Sequence, residues 1–143
     1  MCPDLNVPRS YRNLGLHVLL VEDSPMQRVV ATGLLRKQGL DVTCAKDGQE
    51  AVDALEREEF DAVFMDVEMP VMDGLAATAE IRHRETPLRK HTPIIALTST
   101  TDRERCFDAG MDGFAEKPLN PERLEQILGV VTLIGPQRDS GTV

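Results

Sequence analysis

The sequence predicts an α/β fold in which one five-stranded parallel sheet is covered by helices on both faces. Five short apolar runs alternate with five amphipathic segments, four of the runs end at polar residues, and 143 residues suit a single domain. Strands that alternate with helices are typical of parallel sheets, because each return to the same edge needs a crossover connection. Five such units favour an open, doubly wound, flavodoxin-like sheet with strand order 2-1-3-4-5.

The predicted elements follow one another closely from the first strand to the last helix. We expect strands at 17–22, 41–45, 60–66, 93–98 and 112–116. We expect helices at about 25–38, 48–58, 74–84, 102–109 and 121–131. The flanking segments contain turn-forming residues without apolar periodicity, which predicts an N-terminal extension or linker at 1–15, a domain at 16–131 and a C-terminal tail at 132–143.

The first helix has the clearest start signal. Ser24 can cap it, Pro25 suits its first position, and Gln27 completes a capping box. The residues that we expect to pack on the sheet share one face of this helix: Val29, Val30, Gly33 and Leu34.

Later helices carry similar boundary signals. Gly39 and Gly110 follow the first and fourth helices, where a glycine in the left-handed conformation often ends a helix. Asn120 and Pro121 repeat the cap-then-proline pattern at the start of the fifth helix.

The charge balance disfavours several classes of partner. Lys and Arg total 16 against 24 Asp and Glu, so the formal net charge is −8. Such a balance disfavours non-specific binding to nucleic acid or to an anionic membrane. No apolar run is long enough to cross a bilayer, and residues 1–14 lack the apolar stretch of a secretory signal. We therefore expect a cytoplasmic protein.

The three cysteines are predicted to be reduced thiols. Cys2, Cys44 and Cys106 are widely separated and show none of the paired spacings of zinc or redox motifs. Cys44 lies in a predicted strand and Cys106 in a predicted helix, so we expect both to pack in the core.

Acidic, hydroxyl and amine side chains stand at the ends of four predicted strands. In chain order they are Glu22 with Asp23, Asp66, Thr98 and Lys117. Each one alone has a structural explanation as a turn residue, a helix cap or a surface charge. Because the carboxyl ends of parallel strands meet at one edge, their joint occurrence favours a shared site.

Three converging carboxylates repel one another and need a counter-cation, for which Mg²⁺ is suited by its preference for hard oxygen ligands. We expect Asp23 and Asp66 to be direct ligands. A further ligand is the backbone carbonyl of Glu68, and Glu22 is expected to bind through water.

Phosphoryl transfer is the chemistry that this set of groups favours. An oxygen of Asp66 can attack a phosphoryl group in line, provided that the charge on the equatorial oxygens of that phosphoryl group is neutralised. Lys117 offers a positive charge to one of those oxygens, and Thr98 offers a hydroxyl donor to another.

Taken together, these segments resemble the response-regulator receiver domains of two-component signalling, which have a CheY-like fold. The resemblance rests on these segments, in family order: Val21-Glu22-Asp23-Ser24, the run from Met65 to Gly74, Ile95-Ala96-Leu97-Thr98, and Lys117-Pro118. It implies that Asp66 is the phosphoacceptor, that Glu22 and Asp23 form the acidic pocket, and that Lys117 is the family's site lysine.

The resemblance also implies a switch. Thr98 would be the switch hydroxyl and Phe114 the aromatic residue that turns inward, which alters the surface of the fourth helix, fifth strand and fifth helix. It further implies a cis peptide bond between Lys117 and Pro118, a kind of bond that tolerates cis at low cost. Glu68 and the small Ser99 lie where each could change the lifetime of the phosphoryl group.

The segment 82–91 and the phrase Met-Pro-Val-Met-Asp-Gly resemble the receivers of hybrid histidine kinases. The implied partners are a sensor histidine kinase or a histidine phosphotransfer domain, with an output partner at the switching surface and no direct contact with nucleic acid or membrane. The implied role is a signalling switch and not an enzyme that turns over a separate substrate.

Three alternatives remain open from the residues. A Mg²⁺-dependent phosphatase of the haloacid dehalogenase type is disfavoured because its nucleophile follows the first strand, where this chain has the acid pair. A flavin or nucleotide site is disfavoured because Glu22-Asp23-Ser24-Pro25 is not a phosphate-cradling loop. A receiver-like interaction domain that is never phosphorylated is the third.

Overall fold

The computed structural model describes residues 16–67, 73–85, 91–98, 103–117 and 119–134. Its strands are β1 His17–Val21, β2 Asp41–Ala45, β3 Ala62–Asp66, β4 Ile94–Thr98 and β5 Gly113–Glu116. Its helices are α1 Pro25–Lys37, α2 Gly48–Arg57, α3 Gly74–Arg84, α4 Arg103–Ala109 and α5 Pro121–Ile134. The predicted order of elements is confirmed; β3 begins two residues later than expected, and α5 continues beyond residue 131.

The five strands form one parallel sheet with the order β2-β1-β3-β4-β5, which confirms the predicted doubly wound fold. Val21 at the end of β1 pairs with Ala45 on one side and Met65 on the other. Asp66 pairs with Leu97 of β4. The carboxyl ends of the central strands are therefore level with one another.

The core consists of two apolar layers, one on each face of the sheet. Leu19 and Val21 of β1 point into the layer covered by α2, α3 and α4, whereas Val18 and Leu20 point into the layer covered by α1 and α5. All four side chains are fully buried. This period of two is what a strand covered on both faces requires.

The expected packing face of α1 is wrong in part. Val29 and Val30 are 73% and 58% exposed, while Ala31 and Leu35 are buried against the sheet. Leu34 packs at the edge of that layer as expected. Val29 lies about 160° around the helix from Ala31, since each residue advances by about 100°. The helix carries two apolar faces, of which only one meets the sheet.

The cysteine prediction is confirmed for Cys106 and wrong for Cys44. Cys106 of α4 is buried in the core, whereas Cys44 is exposed, and both are free thiols. Cys44 belongs to the edge strand β2, and its sulfur lies 3.4 Å from the hydroxyl of Thr32 on α1. Because α1 covers this edge incompletely, the thiol stays open to solvent. Cys2 lies outside the described residues.

A hydrogen-bond network around Arg82 lies at the end of the sheet where the strands β4 and β5 begin. Its Nε donates to the carbonyl of Gly110 at 2.8 Å, and its terminal nitrogens donate to Glu85 and Asp112 at 2.7 Å. Asp112 also accepts from the backbone amide of Ile94 at 2.9 Å. The end of α3 is thereby tied to the starts of β4 and β5.

Among the described residues, no helix is both long and apolar enough to cross a membrane. The cytoplasmic location stays a prediction from the sequence, and so do the domain bounds at 16 and 131.

Two glycines give a matched pair of stability predictions. A methyl group at Gly74 would press on the carbonyl oxygen of Asp66 and lie 2.8 Å from the Cα of Val67, whereas one at Gly33 would meet nothing within 4 Å. We expect Gly74→Ala to lower the free energy of unfolding by about 1–3 kcal/mol through overpacking. Gly33→Ala should raise it by about 0.5–1 kcal/mol through helix propensity. Urea unfolding followed by circular dichroism measures both, and a shift of the same sign in the two variants would contradict this account.

Candidate functional site

The register of β1 and β3 places Glu22 beside Asp66. Val21, the last residue of β1, pairs with Met65, so Glu22 and Asp66, which follow these two residues, lie at the same level of the sheet. Glu22 and Asp66 are 3% and 1% exposed, while Asp23 faces solvent. One carboxylate oxygen from each of these three residues lies within 4.8 Å of the others. The acidic cluster expected from the strand ends is present.

Lys117 carries positive charge into this cluster. Its Nζ donates to Oδ1 of Asp66 at 2.8 Å and lies 3.9 Å from Oε1 of Glu22. Its backbone amide donates to the carbonyl of Thr98 at 2.9 Å, which fixes the point at which the chain leaves β5. The lysine therefore connects the ends of β4 and β5 to the acid of β3.

Thr98 and Phe114 occupy neighbouring strands. Thr98 ends β4 and is 1% exposed. Phe114 pairs with Ala96 on that strand and packs, partly buried, against the apolar layer beneath α2, α3 and α4. Thr98 itself pairs with Glu116, two residues after Phe114 on β5.

The electrostatics of the cluster differ between its acids. The pKa of Glu22 is raised from its ordinary 4.5 to about 7, first by burial and next by the negative charge of Asp66. A hydrogen bond from the Ser24 amide and the charge of Lys117 act in the opposite direction. Without a bound cation, Glu22 therefore changes between its protonated and ionised forms near neutral pH.

The donor set of the cluster fits Mg²⁺. It consists of three carboxylates at the edge of the sheet, two of them buried and one open to solvent, where water can complete the coordination. It contains none of the nitrogen or sulfur donors that favour zinc or copper. Glu68, Ser99 and Pro118, to which the sequence assigned further roles, lie outside the described residues.

Two features of α1 beside the site were not predicted. One nitrogen of the Arg28 guanidinium donates to the carbonyl oxygen of Glu22 at 2.7 Å. The other feature is an apolar stripe, hereafter the α1 stripe, formed by Met26, Val29 and Val30 and 77%, 73% and 58% exposed. The spacing of these residues by three and four positions is visible in the sequence, but periodicity alone does not tell an exposed stripe from a buried one.

Comparison with known proteins places the chain in a family. Residues 18–129 match the family model of the response regulator receiver domain. Hybrid signal transduction histidine kinase I of Dictyostelium discoideum is 35% identical over 136 residues, an alignment that covers 88% of this chain and 8% of that protein. The chain therefore spans a small part of this curated relative.

Two solved structures extend the comparison. One is the receiver domain of a Pseudomonas aeruginosa sensor histidine kinase, whose active-site cleft holds a coordinated magnesium ion. It is 42% identical to this chain with a TM-score of 0.71, and the match covers 90% of this chain and 99% of that one. The receiver domain of Saccharomyces cerevisiae Ssk1, in complex with the histidine phosphotransfer protein Ypd1, gives 26% identity and a TM-score of 0.71 over 87% of this chain and 91% of the other. The chain belongs to the family of response regulator receiver domains, and its relatives include the receivers of hybrid histidine kinases.

Proposed function

We propose that this receiver domain takes a phosphoryl group from a phosphohistidine onto Asp66. The ion pair between Lys117 and Asp66 is the observation that carries the proposal, because a buried carboxylate can meet a phosphoryl group only where positive charge offsets their repulsion. The bond from phosphorus to the histidine nitrogen breaks as the bond to an Asp66 oxygen forms. The product is an acyl phosphate.

Mg²⁺ is the cofactor that we assign to the acidic cluster. Asp23 and Asp66 would hold it directly, Glu22 through water, and the backbone carbonyl of Glu68 would complete the protein ligands. When bound, the ion supplies positive charge to the phosphoryl oxygens and offsets the repulsion among the three acids. The pairing of two buried acids with one solvent-facing acid supports this assignment.

Lys117 and Thr98 hold the transferred group in this proposal. Lys117 exchanges its bond to Asp66 for one to a phosphoryl oxygen, and the hydroxyl of Thr98 donates to another. Because Phe114 lies on the strand next to Thr98, a shift of Thr98 opens space for the ring to turn inward. The α4-β5-α5 surface, which would receive an output partner, then differs between the two states.

The proposed role is that of a switch with a phosphotransfer partner, without turnover of a separate substrate. The partner is a sensor histidine kinase or a histidine phosphotransfer domain, as in the complex of Ypd1 with the Ssk1 receiver. The α1 stripe supports a docking position, since α1 begins two residues after Asp23 and large exposed apolar residues mark interaction surfaces.

Two of the three alternatives from the sequence fit the geometry less well. In the phosphatase alternative the nucleophile follows the first strand, but here the acid pair follows β1 and Asp66 ends β3. A flavin or nucleotide phosphate would meet the carboxylates of Glu22 and Asp23 at the loop before α1. The ion pair between Lys117 and Asp66 offsets buried charge with or without phosphorylation, so the labelling experiment below is what separates a receiver that is never phosphorylated.

The first test is chemical phosphorylation. With Mg²⁺ and acetyl phosphate, the wild-type chain should gain one phosphoryl group, detected by intact mass, and Asp66→Asn should gain none. The matched control is Asp53→Asn, which alters an exposed acid on α2 and should be modified like the wild type. Modification that persists in Asp66→Asn would exclude Asp66 as the acceptor.

The raised pKa of Glu22 predicts a pH-dependent Mg²⁺ affinity. With a pKa of about 7, Glu22 is about one tenth ionised at pH 6 and about nine tenths ionised at pH 8, so the affinity should rise by up to about ninefold between them. Mg²⁺ titrations by calorimetry measure this rise, and Glu22→Gln should flatten it. A wild-type affinity that falls with pH would contradict the assignment.

The same pKa predicts a stability effect in the absence of Mg²⁺. Between pH 4.5 and about 7 the folded chain keeps a proton on Glu22, whereas the unfolded chain, in which Glu22 has its ordinary pKa of 4.5, has released it. The contribution of protonated Glu22 to the free energy of unfolding is therefore fully present below pH 4.5 and is lost as the pH rises to the folded-state pKa of about 7. Urea unfolding of wild type and Glu22→Gln across this range should show the loss in the wild type only.

The α1 stripe gives a prediction for the partner. Val29→Asp should slow transfer from a phosphorylated histidine phosphotransfer protein by about tenfold, since a charge in an apolar contact is costly, while labelling by acetyl phosphate stays unchanged. Phe107→Ser, at an exposed apolar residue of α4, is the control and should leave both rates unchanged. Equal slowing in the two variants would place the contact elsewhere.

A further inference from the structure

The segment that joins β1 to α1 carries the acid pair without belonging to either element. β1 ends at Val21 and α1 begins at Pro25. In such a segment no ladder of regular hydrogen bonds sets the orientation of each peptide, so other contacts must do so. The direction in which the Asp23 side chain leaves the backbone depends on the peptide that joins it to Glu22.

Besides the helix-cap bonds that Ser24 accepts from the amides of Gln27 and Arg28, three further hydrogen bonds hold this segment among the described residues. The amide of Glu22 donates to the carbonyl of Ala45 at 3.0 Å, and the amide of Ser24 donates to the Glu22 carboxylate at 3.2 Å. The third is the bond from Arg28 to the carbonyl oxygen of Glu22, which at 2.7 Å is the shortest and has a charged donor. Of these, the Arg28 bond acts directly on the peptide between Glu22 and Asp23.

We propose that Arg28 is a positioning residue for the metal site: its guanidinium holds the peptide between Glu22 and Asp23 so that both carboxylates stay in place to bind Mg²⁺. The inference rests on the proposed function, because it concerns the same acidic cluster. It assigns to α1 a role inside the site in addition to the exposed stripe on its surface.

The direction in which the Mg²⁺ affinity changes when the Arg28 side chain is removed distinguishes positioning from simple electrostatics. Arg28 is a cation near a cation site, so its charge alone weakens Mg²⁺ binding, and removing that charge would strengthen it. If the hydrogen bond to Glu22 is what matters, removing the side chain weakens binding instead. The two explanations therefore predict opposite changes.

The test is a Mg²⁺ titration of Arg28→Met, followed by the NMR shifts of the backbone amides in the segment 22–24. We expect the dissociation constant to rise by about tenfold, the size of effect typical when a group that orients metal ligands is lost. In acetyl phosphate labelling, the half-saturating Mg²⁺ concentration should rise equally, while the rate at saturating Mg²⁺ stays within about twofold. Arg28→Lys, which keeps one donor and the charge, should recover most of the affinity.

Arg36→Met is the matched control, because it removes the same charge from an exposed position in the last turn of α1. It should leave the Mg²⁺ affinity unchanged. Circular dichroism verifies that each variant is folded; should Arg28→Met fail to fold, Arg28→Gln replaces it with the same expected direction.

The outcomes are separable from those of the proposed function. Wild-type protein that shows no Mg²⁺ binding at all would overturn the metal site and this inference together. Wild-type binding with an unchanged or lower dissociation constant in the neutral variants would overturn the role of Arg28 alone. A loss in Arg28→Met that Arg28→Lys does not recover at all would likewise exclude positioning through this bond.

Discussion

The site depends above all on the ion pair between Lys117 and Asp66. It is largely withdrawn from water, with the two side chains 21% and 2% exposed, so neither charge can be left without a partner at low cost. The pair joins the ends of β3 and β5 across the intervening strand β4, and the lysine amide is bonded to Thr98 on that strand. A new charge on Asp66 would therefore change the environment of three strand ends at once.

The opposite edge of the sheet is held differently. There Arg82 bonds to Glu85, Gly110 and Asp112, and Asp112 in turn fixes the amide at the start of β4. These contacts join protein groups to one another and involve none of the residues of the acidic cluster. One end of the sheet thus attaches α3 to β4 and β5, and the other carries the groups to which we assign the response to phosphorylation.

Helix α1 shows how far sequence reasoning reaches. Its start at Ser24 and Pro25 was predicted from capping rules, and its contact with the sheet is real. Its packing face was predicted wrongly in part, because the helix has two apolar faces and periodicity alone does not tell which of them is buried. Leu35 is buried against the sheet, whereas Val29 belongs to the α1 stripe, to which we assign the docking of a partner.

The sequence by itself determined the order of the strands and helices, and it determined that polar groups end four of those strands. These features are local, since alternation, caps and residue types can be identified within a few positions. Only the tertiary structure decided the exposure of Cys44, the raised pKa of Glu22 and the bond from Arg28 into the site. Each of these depends on distances between segments that are separate in the chain, and distances of that kind arise only when the sheet and its helices have packed.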